Sequence, residues 1–367
     1  MDFTLTQAQD DLGALTRQIL AGQLTRQRRR ETADGGLDTA LWSQLATAGV
    51  LAAALPESLG GSGLGLLEQC TVLAEIGRAV APVPYLASIV LGASVLARFG
   101  TPAQQQQWAA PAGRGEVILA AALSEQDGES PAAPVTTAEQ ADGGWVLSGA
   151  KTAVLAGADA ALLLVPASTA SGAAVFLVGP DDPGVTVAPQ QVTGGTGTAA
   201  VELASVPVPA SSVLGEIGGD APRWLADRAT VGLCALQLGV AERALELTAA
   251  YAQTRQQFGK PIGSFQAVAQ RLADGYIDVE AIRLTLWQAA WRLENDLPSQ
   301  AELATAKFWA AEAGHRVAHT AVHVHGGVGI DTDGDVHRYF AAAKHNEFAL
   351  GGATAQLRRI GAALASG

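Results

Sequence analysis

Side chains that could bind a phosphate group occur together in one short segment, RQQFGKPIGSFQ at residues 255–266. Arg255 carries a guanidinium that can bind two phosphate oxygens at once, Gln257 carries an amide, and Phe258 carries a flat apolar ring. The segment lies between two long predicted helices, so these groups are expected on a stiff helical hairpin tip. The alternative is a solvated helix turn in which Phe258 packs into the core.

The same segment contains signals for the end of one helix and the start of another. Gly259 and Pro261 are expected to end the first helix. Ser264 is expected to cap the second, because a serine hydroxyl can accept a hydrogen bond from the free N–H groups at a helix start.

A second segment, HVHGGVGI at residues 323–330, places two glycines directly after a predicted helix. Gly326 and Gly327 let the backbone adopt φ > 0 and approach a ligand closely, although an ordinary helix C-cap has the same pattern. His323 and His325 are not expected to bind a metal, because side chains two residues apart on a helix point in different directions.

Other catalytic motifs are absent from the sequence. It has no GxxxxGK[ST] phosphate-binding loop and no GxSxG nucleophile elbow, which argues against a P-loop NTPase and an α/β-hydrolase. The glycine-rich stretch at residues 60–65 lacks GxGxxG spacing and is expected to be a loop. Cys70 and Cys234 are the only cysteines, too few for a disulfide framework, and as free thiols they fit a reducing cytosol.

The chain is acidic, with 23 Lys and Arg against 35 Asp and Glu and a net charge of −12. No broad cationic surface is expected, so nucleic acid is an unsuitable partner. The N-terminus lacks the basic start and apolar core of a signal peptide. No uncharged apolar run of about 18 residues occurs, so no membrane span is expected and a cytoplasmic location is favoured.

The composition and apolar spacing of the sequence change twice along its 367 residues. Residues 1–118 show helical spacing and predict an N-terminal helical domain, with a helix at Leu66–Ala79 ended by prolines. Residues 119–215 contain short Val-rich runs between Gly, Pro, Asp and Ser clusters, which predict a small β-sandwich or barrel. Residues 216–367 return to the 3.6-residue period. This order indicates an α+β, mostly helical chain and not a doubly wound α/β fold.

Two expectations follow for the boundaries of the later domains. The stretch Val206–Pro209 is expected to end the β domain, because two prolines do not fit a central strand. Four periodic segments with short links predict an antiparallel four-helix bundle, at Leu233–Ala252, Leu272–Leu293, Leu303–Ala321 and Ala353–Leu364.

Several separated motifs together resemble the acyl-CoA dehydrogenase family. They are spread over nearly the whole chain in the order that the family has: LPE with GG at residues 55–61, EIGRA at 75–79, PVPYL at 82–86, GWVLSGAK at 144–151, VPVP at 206–209, and the two segments described above. The resemblance implies an N-terminal helical domain, a central β domain and a C-terminal four-helix bundle.

The resemblance also implies a reaction, the α,β-dehydrogenation of an acyl-CoA thioester with FAD as cofactor and an electron-transfer protein as acceptor. In such a reaction a carboxylate takes the α-proton while a hydride passes from the β-carbon to the flavin. A dry site makes the carboxylate a better base by raising its pKa. Hydrogen-bond donors at the thioester carbonyl stabilise the enolate-like charge.

The resemblance assigns cofactor contacts to both segments, on the dinucleotide half of a FAD shared with a neighbouring subunit. The residues that it assigns are Arg255, Gln257, Phe258, Gln266, His323, Gly326 and Gly327. His323 stands where the family commonly has Gln, and it can still donate a hydrogen bond.

The catalytic carboxylate of the family is missing from its usual positions. Counting from Lys344, the common Glu position is Leu350, directly before Gly351. The alternative position in the family matches residues 228–230, which contain no carboxylate, and Asp227 lies one residue away. The catalytic base is therefore unassigned.

The β domain departs from the family as well. The usual TEPxxGSD loop on the flavin side is replaced by SEQDGES at residues 124–130. The usual aromatic-and-Thr strand against the flavin ring is replaced by residues 152–156, TAVLA. The residues for the dinucleotide half are thus kept, whereas those for the flavin ring and the base are lost.

One hypothesis explains this combination. Some bacterial acyl-CoA dehydrogenases, including enzymes of sterol degradation, are α2β2 heterotetramers in which one subunit supplies the base and the other completes the FAD site. This chain resembles the second kind. Two alternatives stay open: a self-sufficient dehydrogenase with a displaced base such as Glu347, Asp331 or Asp333, and a non-catalytic scaffold that binds CoA esters.

Overall fold

The computed structural model describes residues 3–25, 28, 35–128, 130–195 and 197–365. The chain forms two compact units, each built from stretches that are separated in the sequence. Unit 1 contains Met1–Ala21, Leu66–Ala81 and Thr230–Gly367. Unit 2 contains Gly22–Gly65 and Pro82–Ala229.

The first third of the chain is helical, as the spacing predicts. Its longer α-helices are α1 Gln7–Gln23, α2 Thr39–Thr47, α3 Leu66–Ala79 and α4 Ser94–Phe99. Its π-helical and short segments are Tyr85–Ala93, Pro102–Gln104, Gln105–Ala109 and Ala110–Gly113. The bounds of α3 match the predicted helix, and α2 begins where the Asp38 carboxylate accepts from the N–H of Leu41 at 2.9 Å.

The β region lies in unit 2 and forms one sheet whose buried residues make up one core cluster. Its strands are β1 Leu119–Ala121, β2 Thr137–Ala141, β3 Gly144–Val154, β4 Leu162–Thr169, β5 Gly172–Val178, β6 Val185–Pro189, β7 Ala199–Pro209 and β8 Val213–Leu214. The order is β6-β7-β3-β2-β4-β5-β8, and β1 pairs with β4. Trp145 of β3 and Phe176 of β5 meet edge to face at 5.7 Å, so the two halves of the sheet share the core.

The two prolines of Val206–Pro209 lie inside a paired strand and do not stop it earlier, because β7 continues to Pro209 and pairs there with Gly144. The physical reason is that β6 pairs only with Ala199–Leu203 of β7. Beyond that point β7 has one neighbour, β3, and a proline is tolerated where a strand has an unpaired edge.

The C-terminal part of the chain is helical, and from Thr230 onward it belongs to unit 1. Its helices are α5 Ala221–Thr254, α6 Gln266–Glu294, α7 Gln300–His325, α8 Val336–Phe348 and α9 Ala353–Ala365. Helix α7 packs against α6, α8 and α9. The four predicted helices are present as α5, α6, α7 and α9, while α8 was not predicted and α5 starts earlier than Leu233.

Two glycines allow a close crossing of α3 and α5 within unit 1. A Cβ on Gly77 would overlap the carbonyl oxygen of Leu236, and a Cβ on Gly239 would overlap that of Ala74. Beside this crossing, Arg78 of α3 donates to Glu242 at 2.9 Å and to Glu246 at 2.8 Å. The high Gly and Ala content therefore brings these two backbones into contact.

Within the described part of the chain, no helix combines the length and the apolar composition needed to cross a bilayer.

Candidate functional site

A tight β-hairpin connects α5 to α6. Strands β9 Gln256–Gln257 and β10 Lys260–Pro261 pair antiparallel. The two residues between them, Phe258 and Gly259, have φ values of 53° and 77°. Two consecutive positive φ values are typical of a type I′ turn, whose twist matches that of paired strands. The first helix thus ends at Thr254, before the predicted stop at Gly259.

Phe258 projects from this hairpin into solvent. Its side chain is 91% exposed, which excludes the alternative in which it packs into the core. Its ring meets the ring of Phe265 edge to face at 6.1 Å, and the Lys260 ammonium lies 4.5 Å from the Phe265 ring centre. A left-handed backbone at a bulky residue is strained, so the hairpin must hold Phe258 in place.

The prediction that Ser264 caps α6 is wrong. Its hydroxyl donates to the carbonyl of Pro261 at 2.7 Å. Ser264 lies inside the short 3₁₀ turn Ile262–Ser264, and this turn places Phe265 at the N-cap of α6 without a side-chain cap.

The predicted polar groups of the hairpin are exposed. The backbone of Arg255 is fixed, since its N–H donates to Tyr251 and its carbonyl accepts from Ile262, both at 2.8 Å. Within the described residues its guanidinium forms no hydrogen bond or ion pair. The Gln257 amide donates to the carbonyl of Gln256 at 2.9 Å. Gln266, at the first turn of α6, is also exposed.

The structure brings the second predicted segment next to the first. His325 is buried, its Nδ1 donates to the Ala321 carbonyl at 2.8 Å, and its ring stacks on that of Tyr251 at 4.3 Å. Tyr251 lies in the last turn of α5, directly before the hairpin. His323 is exposed at the end of α7. Both segments therefore lie at the same end of the helical unit.

The glycines after α7 leave open space. Gly326 has φ 64°, as predicted, and ends the helix. A Cβ added to Gly326 or Gly327 would meet nothing within 4 Å. Exposed guanidinium, amide, imidazole and aromatic groups beside an open glycine backbone suit a phosphate-bearing ligand with a flat ring. This donor set fits the dinucleotide half of FAD.

The turn after α8 contains the position at which the family resemblance places the catalytic Glu, but it carries no carboxylate. Leu350 has φ 58° and Gly351 has φ 95°. The buried amide of Gln356 donates to the carbonyl of Leu350 at 3.2 Å and to that of Gly351 at 2.9 Å. Leucine cannot accept a proton, so this turn supplies no base.

A buried lysine that the sequence analysis missed fixes the end of α8. Lys307 is fully buried, and its ammonium donates to the carbonyls of Asn346 at 2.9 Å and Glu347 at 3.1 Å. Burial lowers its pKa to about 8. The sequence signal that could have identified Lys307 as buried is its position inside the periodic apolar pattern of α7.

The three candidate displaced bases are not poised to take a proton. Glu347 pairs with the Lys344 ammonium at 2.9 Å and with His315 Nδ1 at 3.1 Å. Asp331 and Asp333 are exposed on a turn, where the N–H of Asp333 donates to the Asp331 carboxylate at 3.0 Å. A base needs a dry pocket and a free carboxylate.

A further carboxylate, Asp227, is half-buried near the start of α5. Because α5 begins at Ala221, Asp227 lies within the helix. Burial raises the pKa of Asp227 to about 6, although Arg223 and Arg228 act in the opposite direction. The Arg223 guanidinium is 3.7 Å from its carboxylate. Asp227 lies one residue before the stretch 228–230 that the family resemblance indicates, which is why the sequence left it unassigned.

Two motif residues of the β region form a buried ion pair. The Lys151 ammonium donates to Glu125 at 2.9 Å and to the Pro166 carbonyl at 2.7 Å, with side chains 0% and 5% exposed. Burial acts to raise the pKa of Glu125, but hydrogen bonds from Lys151, Thr136 and Val135 outweigh it and lower the pKa to about 2. Glu125 is thus a structural residue.

The flavin-side stretches predicted from the family lie side by side. The N–H of Thr152 donates to the carbonyl of Ser124 at 2.9 Å. The Gln190 amide oxygen accepts from the N–H of Ala153 at 2.7 Å, and Ala153 has φ 49°. Glu129, part of the first stretch, lies outside the described residues.

Three family models match successive parts of the chain. The acyl-CoA dehydrogenase N-terminal domain matches residues 6–116, the middle domain matches 120–206, and the C-terminal domain matches 222–365. Acyl-CoA dehydrogenase FadE27 of Mycobacterium tuberculosis is 52% identical over 375 residues, which cover 100% of this chain and 99% of that protein.

Two solved structures share the fold over the full length. A chain of the ChsE4-ChsE5 complex from Mycobacterium tuberculosis is 53% identical, with a TM-score of 0.95 and 100% of each chain covered. A chain of the Tcur3481-Tcur3483 steroid ACAD G363A variant is 41% identical, with a TM-score of 0.92 and 99% of each chain covered. With three matching domains in the same order and more than half of its residues shared with one relative, this chain belongs to the acyl-CoA dehydrogenase family.

Proposed function

We propose that this chain is the subunit of a heteromeric acyl-CoA dehydrogenase that completes a shared FAD site, while a related subunit supplies the catalytic base. The observation that carries the proposal is that the residues expected to contact FAD are present and exposed, whereas the usual catalytic Glu is absent. The hairpin residues Arg255 and Phe258 are exposed, whereas Leu350 stands at the usual Glu position and Glu347 is already paired. The solved relatives named for two subunits support it.

The residues of the two segments have distinct roles in this proposal. Arg255 binds the pyrophosphate with its guanidinium, and Phe258 packs against the adenine ring. Gln257, Gln266 and His323 donate or accept hydrogen bonds.

The backbone at Gly326 and Gly327 approaches the ligand where a Cβ would interfere. FAD, when bound, supplies the hydride acceptor for the β-carbon of the acyl-CoA, and an electron-transfer protein removes the electrons.

The proposal also includes the class of acyl-CoA substrate, the domain boundaries and the cellular location of the protein. A relative named as a steroid ACAD favours a sterol-derived acyl-CoA in lipid degradation. We propose domain boundaries at 1–118, 119–215 and 216–367, supported by the family-model ranges. A cytoplasmic location is supported by Cys70 and Cys234, which are buried and are not joined in a disulfide.

The proposal is tested by purifying the tagged chain from its native host, identifying the co-purified subunit, and comparing the complex with the chain expressed alone. We expect the complex to be yellow and to dehydrogenate acyl-CoA, and the chain alone to lack turnover. Arg255→Ala should lower the flavin content of the complex at least tenfold, while Arg114→Ala, an exposed arginine elsewhere, should not. A yellow, active assembly of this chain alone would contradict the proposal.

A self-sufficient dehydrogenase is the second candidate, favoured by the half-buried position of Asp227 near the start of α5, where burial raises its pKa to about 6. In that case Asp227→Asn would abolish turnover by the chain alone and leave its flavin content unchanged. Glu347→Gln is the matched test of the sequence-derived candidate. A complex that holds FAD but whose visible spectrum is not reduced by acyl-CoA would favour the non-catalytic scaffold.

A further inference from the structure

Two stacked rings connect the hairpin to the turn Gly326–Ile330, which we call the glycine turn. The ring of Tyr251 in the last turn of α5 lies 4.3 Å from that of His325, the last residue of α7, with 22° between the ring planes. The His325 imidazole is buried and its Nδ1 donates to the Ala321 carbonyl at 2.8 Å, so the plane of this ring is fixed. Stacked rings attract each other, and the stack therefore ties the end of α5 to the end of α7.

The hairpin starts and ends on the backbone next to Tyr251. The N–H of Arg255 donates to the Tyr251 carbonyl at 2.8 Å, so the outgoing strand begins one helical turn after this residue. On the returning side, Gly263 lies so close to α5 that an added Cβ would be 3.1 Å from the carbonyl oxygen of Ala252. A shift of Tyr251 would therefore move both ends of the hairpin.

The glycine turn is built on His325 in the same way. It follows His325 directly along the chain. Gly329 within the turn is buried, and an added Cβ there would lie 3.1 Å from the Cβ of His325. The turn thus folds back over the His325 side chain, and the position of this residue sets the position of the open backbone at Gly326 and Gly327.

A ligand that contacts both segments needs them at a fixed separation. In the proposed function Arg255 binds the pyrophosphate, and the backbone at Gly326 and Gly327 approaches the same nucleotide. If the two segments moved independently, only a fraction of the molecules would present both at once. The apparent dissociation constant would then rise by the inverse of that fraction. Holding the segments in place beforehand removes this cost.

We propose that Tyr251 and His325 are positioning residues, whose stacked rings hold the hairpin and the glycine turn at the separation that the dinucleotide half of one FAD requires. Neither ring has been assigned a contact with the cofactor. The identity of the ligand rests on the proposed function. The coupling between the two segments does not, so the two can fail separately.

Amide hydrogen exchange in the full-length chain, with no flavin added, tests this coupling. Tyr251→Ala should speed exchange about tenfold in the glycine turn, because loss of the stack frees a segment that is distant in the sequence. His325→Ala should have the same effect in the hairpin. Unchanged exchange in the opposite segment of either variant would overturn the proposal.

Two ring-preserving variants are the matched controls. Tyr251→Phe removes a hydroxyl that forms no hydrogen bond with the described residues, and His325→Phe removes the bond to Ala321. Both keep a pair of rings, so both should exchange like the unmodified chain. Exchange as fast as in the alanine variants would show that polar contacts connect the segments, and the proposal would be refuted.

The FAD dissociation constant of the purified complex is the second measurement, read from flavin fluorescence. Tyr251→Ala should raise it about tenfold, the effect of reducing the binding-competent fraction to about one tenth. Tyr251→Phe should bind FAD like the unmodified complex. An unchanged constant in Tyr251→Ala would contradict the proposal. An unmodified complex that binds no FAD would instead contradict the proposed function, and hydrogen exchange would still decide the coupling.

A variant that is destabilised elsewhere on α5 separates positioning from stability. Gly239 lies about 18 Å from Tyr251 along the helix, and an added Cβ there would overlap the carbonyl oxygen of Ala74. Gly239→Ala should therefore unfold at a lower temperature and still bind FAD like the unmodified complex. Equal losses of FAD affinity in Gly239→Ala and Tyr251→Ala would show that the stack contributes only general stability, which would overturn the proposal.

Discussion

Glu125→Gln is expected to reduce the free energy of unfolding at pH 7 by about 3–5 kcal/mol, because it leaves a buried ammonium without its carboxylate. Lys151 is 0% exposed and would retain only neutral acceptors, the carbonyl of Pro166 and the amide oxygen of the new glutamine. The glutamine is nearly isosteric with Glu125, so the loss reports charge and not packing. Urea unfolding followed by circular dichroism measures the difference.

The pH dependence of this variant has a definite sign. Burial already lowers the pKa of Lys151 below its ordinary value, and the Glu125 carboxylate opposes that effect. Without the carboxylate, the folded state disfavours the protonated lysine further. The variant should therefore regain stability as the pH rises through the folded pKa towards 10.5, the value of a free lysine.

The control uses the same substitution at an exposed pair. Glu116 pairs with Arg114 at 2.7 Å, and both side chains are more than half exposed. Glu116→Gln should leave the urea midpoint unchanged, since exposed ion pairs contribute little. Equal midpoints for Glu125→Gln and the unmodified protein would show that Glu125 and Lys151 do not form the buried pair.

Gly239→Ala is expected to destabilise the protein by about 3 kcal/mol, at the upper end for overpacking. Its new Cβ would overlap the carbonyl of Ala74 and approach the N–H of Arg78 in α3. Backbone atoms cannot move aside as a flexible side chain can. The two helices would have to separate, and the hydrogen bonds from Arg78 to α5 would lengthen. Thermal and urea unfolding measure the loss.

Gly361→Ala is the matched control in α9. A Cβ there meets nothing within 4 Å. Alanine is the better helix former, so this variant should be stabilised by about 0.5–1 kcal/mol. If Gly239→Ala were equally harmless, the close crossing of α3 and α5 would be refuted.

Local patterns predicted the architecture well where one physical signal dominated. Apolar periodicity and the following prolines gave α3 its exact bounds. The short Val-rich runs located the strands, but not that β7 runs through two prolines, because only tertiary pairing reveals which strand edge is free. Helix α8 was missed because its buried residues have helical spacing but are mostly small or polar, so the apolar signal is weak; they are Val336, Tyr339, Ala342, Ala343 and Asn346.

The candidate site was predictable in composition and less so in geometry. The sequence grouped Arg255, Gln257 and Phe258, but it did not show that a type I′ turn projects Phe258 into solvent. The sequence also did not show that the two segments are neighbours, which follows from the stacking of Tyr251 on His325. Their assignment to FAD stays a prediction. Asp227 was left unassigned because it lies one residue away from the position that the family resemblance indicates, and its burial is visible only in the folded helix.

The interleaving of the two units constrains the order in which the protein can form during translation. All of unit 2 has been synthesised once Ala229 is made, whereas unit 1 still needs the stretch from Thr230 onward. At about 5–20 residues per second, the ribosome adds that stretch on the order of 10 s later. During this delay helix α3, with its buried Val72 and Ile76, lacks the C-terminal helices that complete unit 1. The nascent chain therefore exposes an apolar helix face, the kind of surface that chaperones bind.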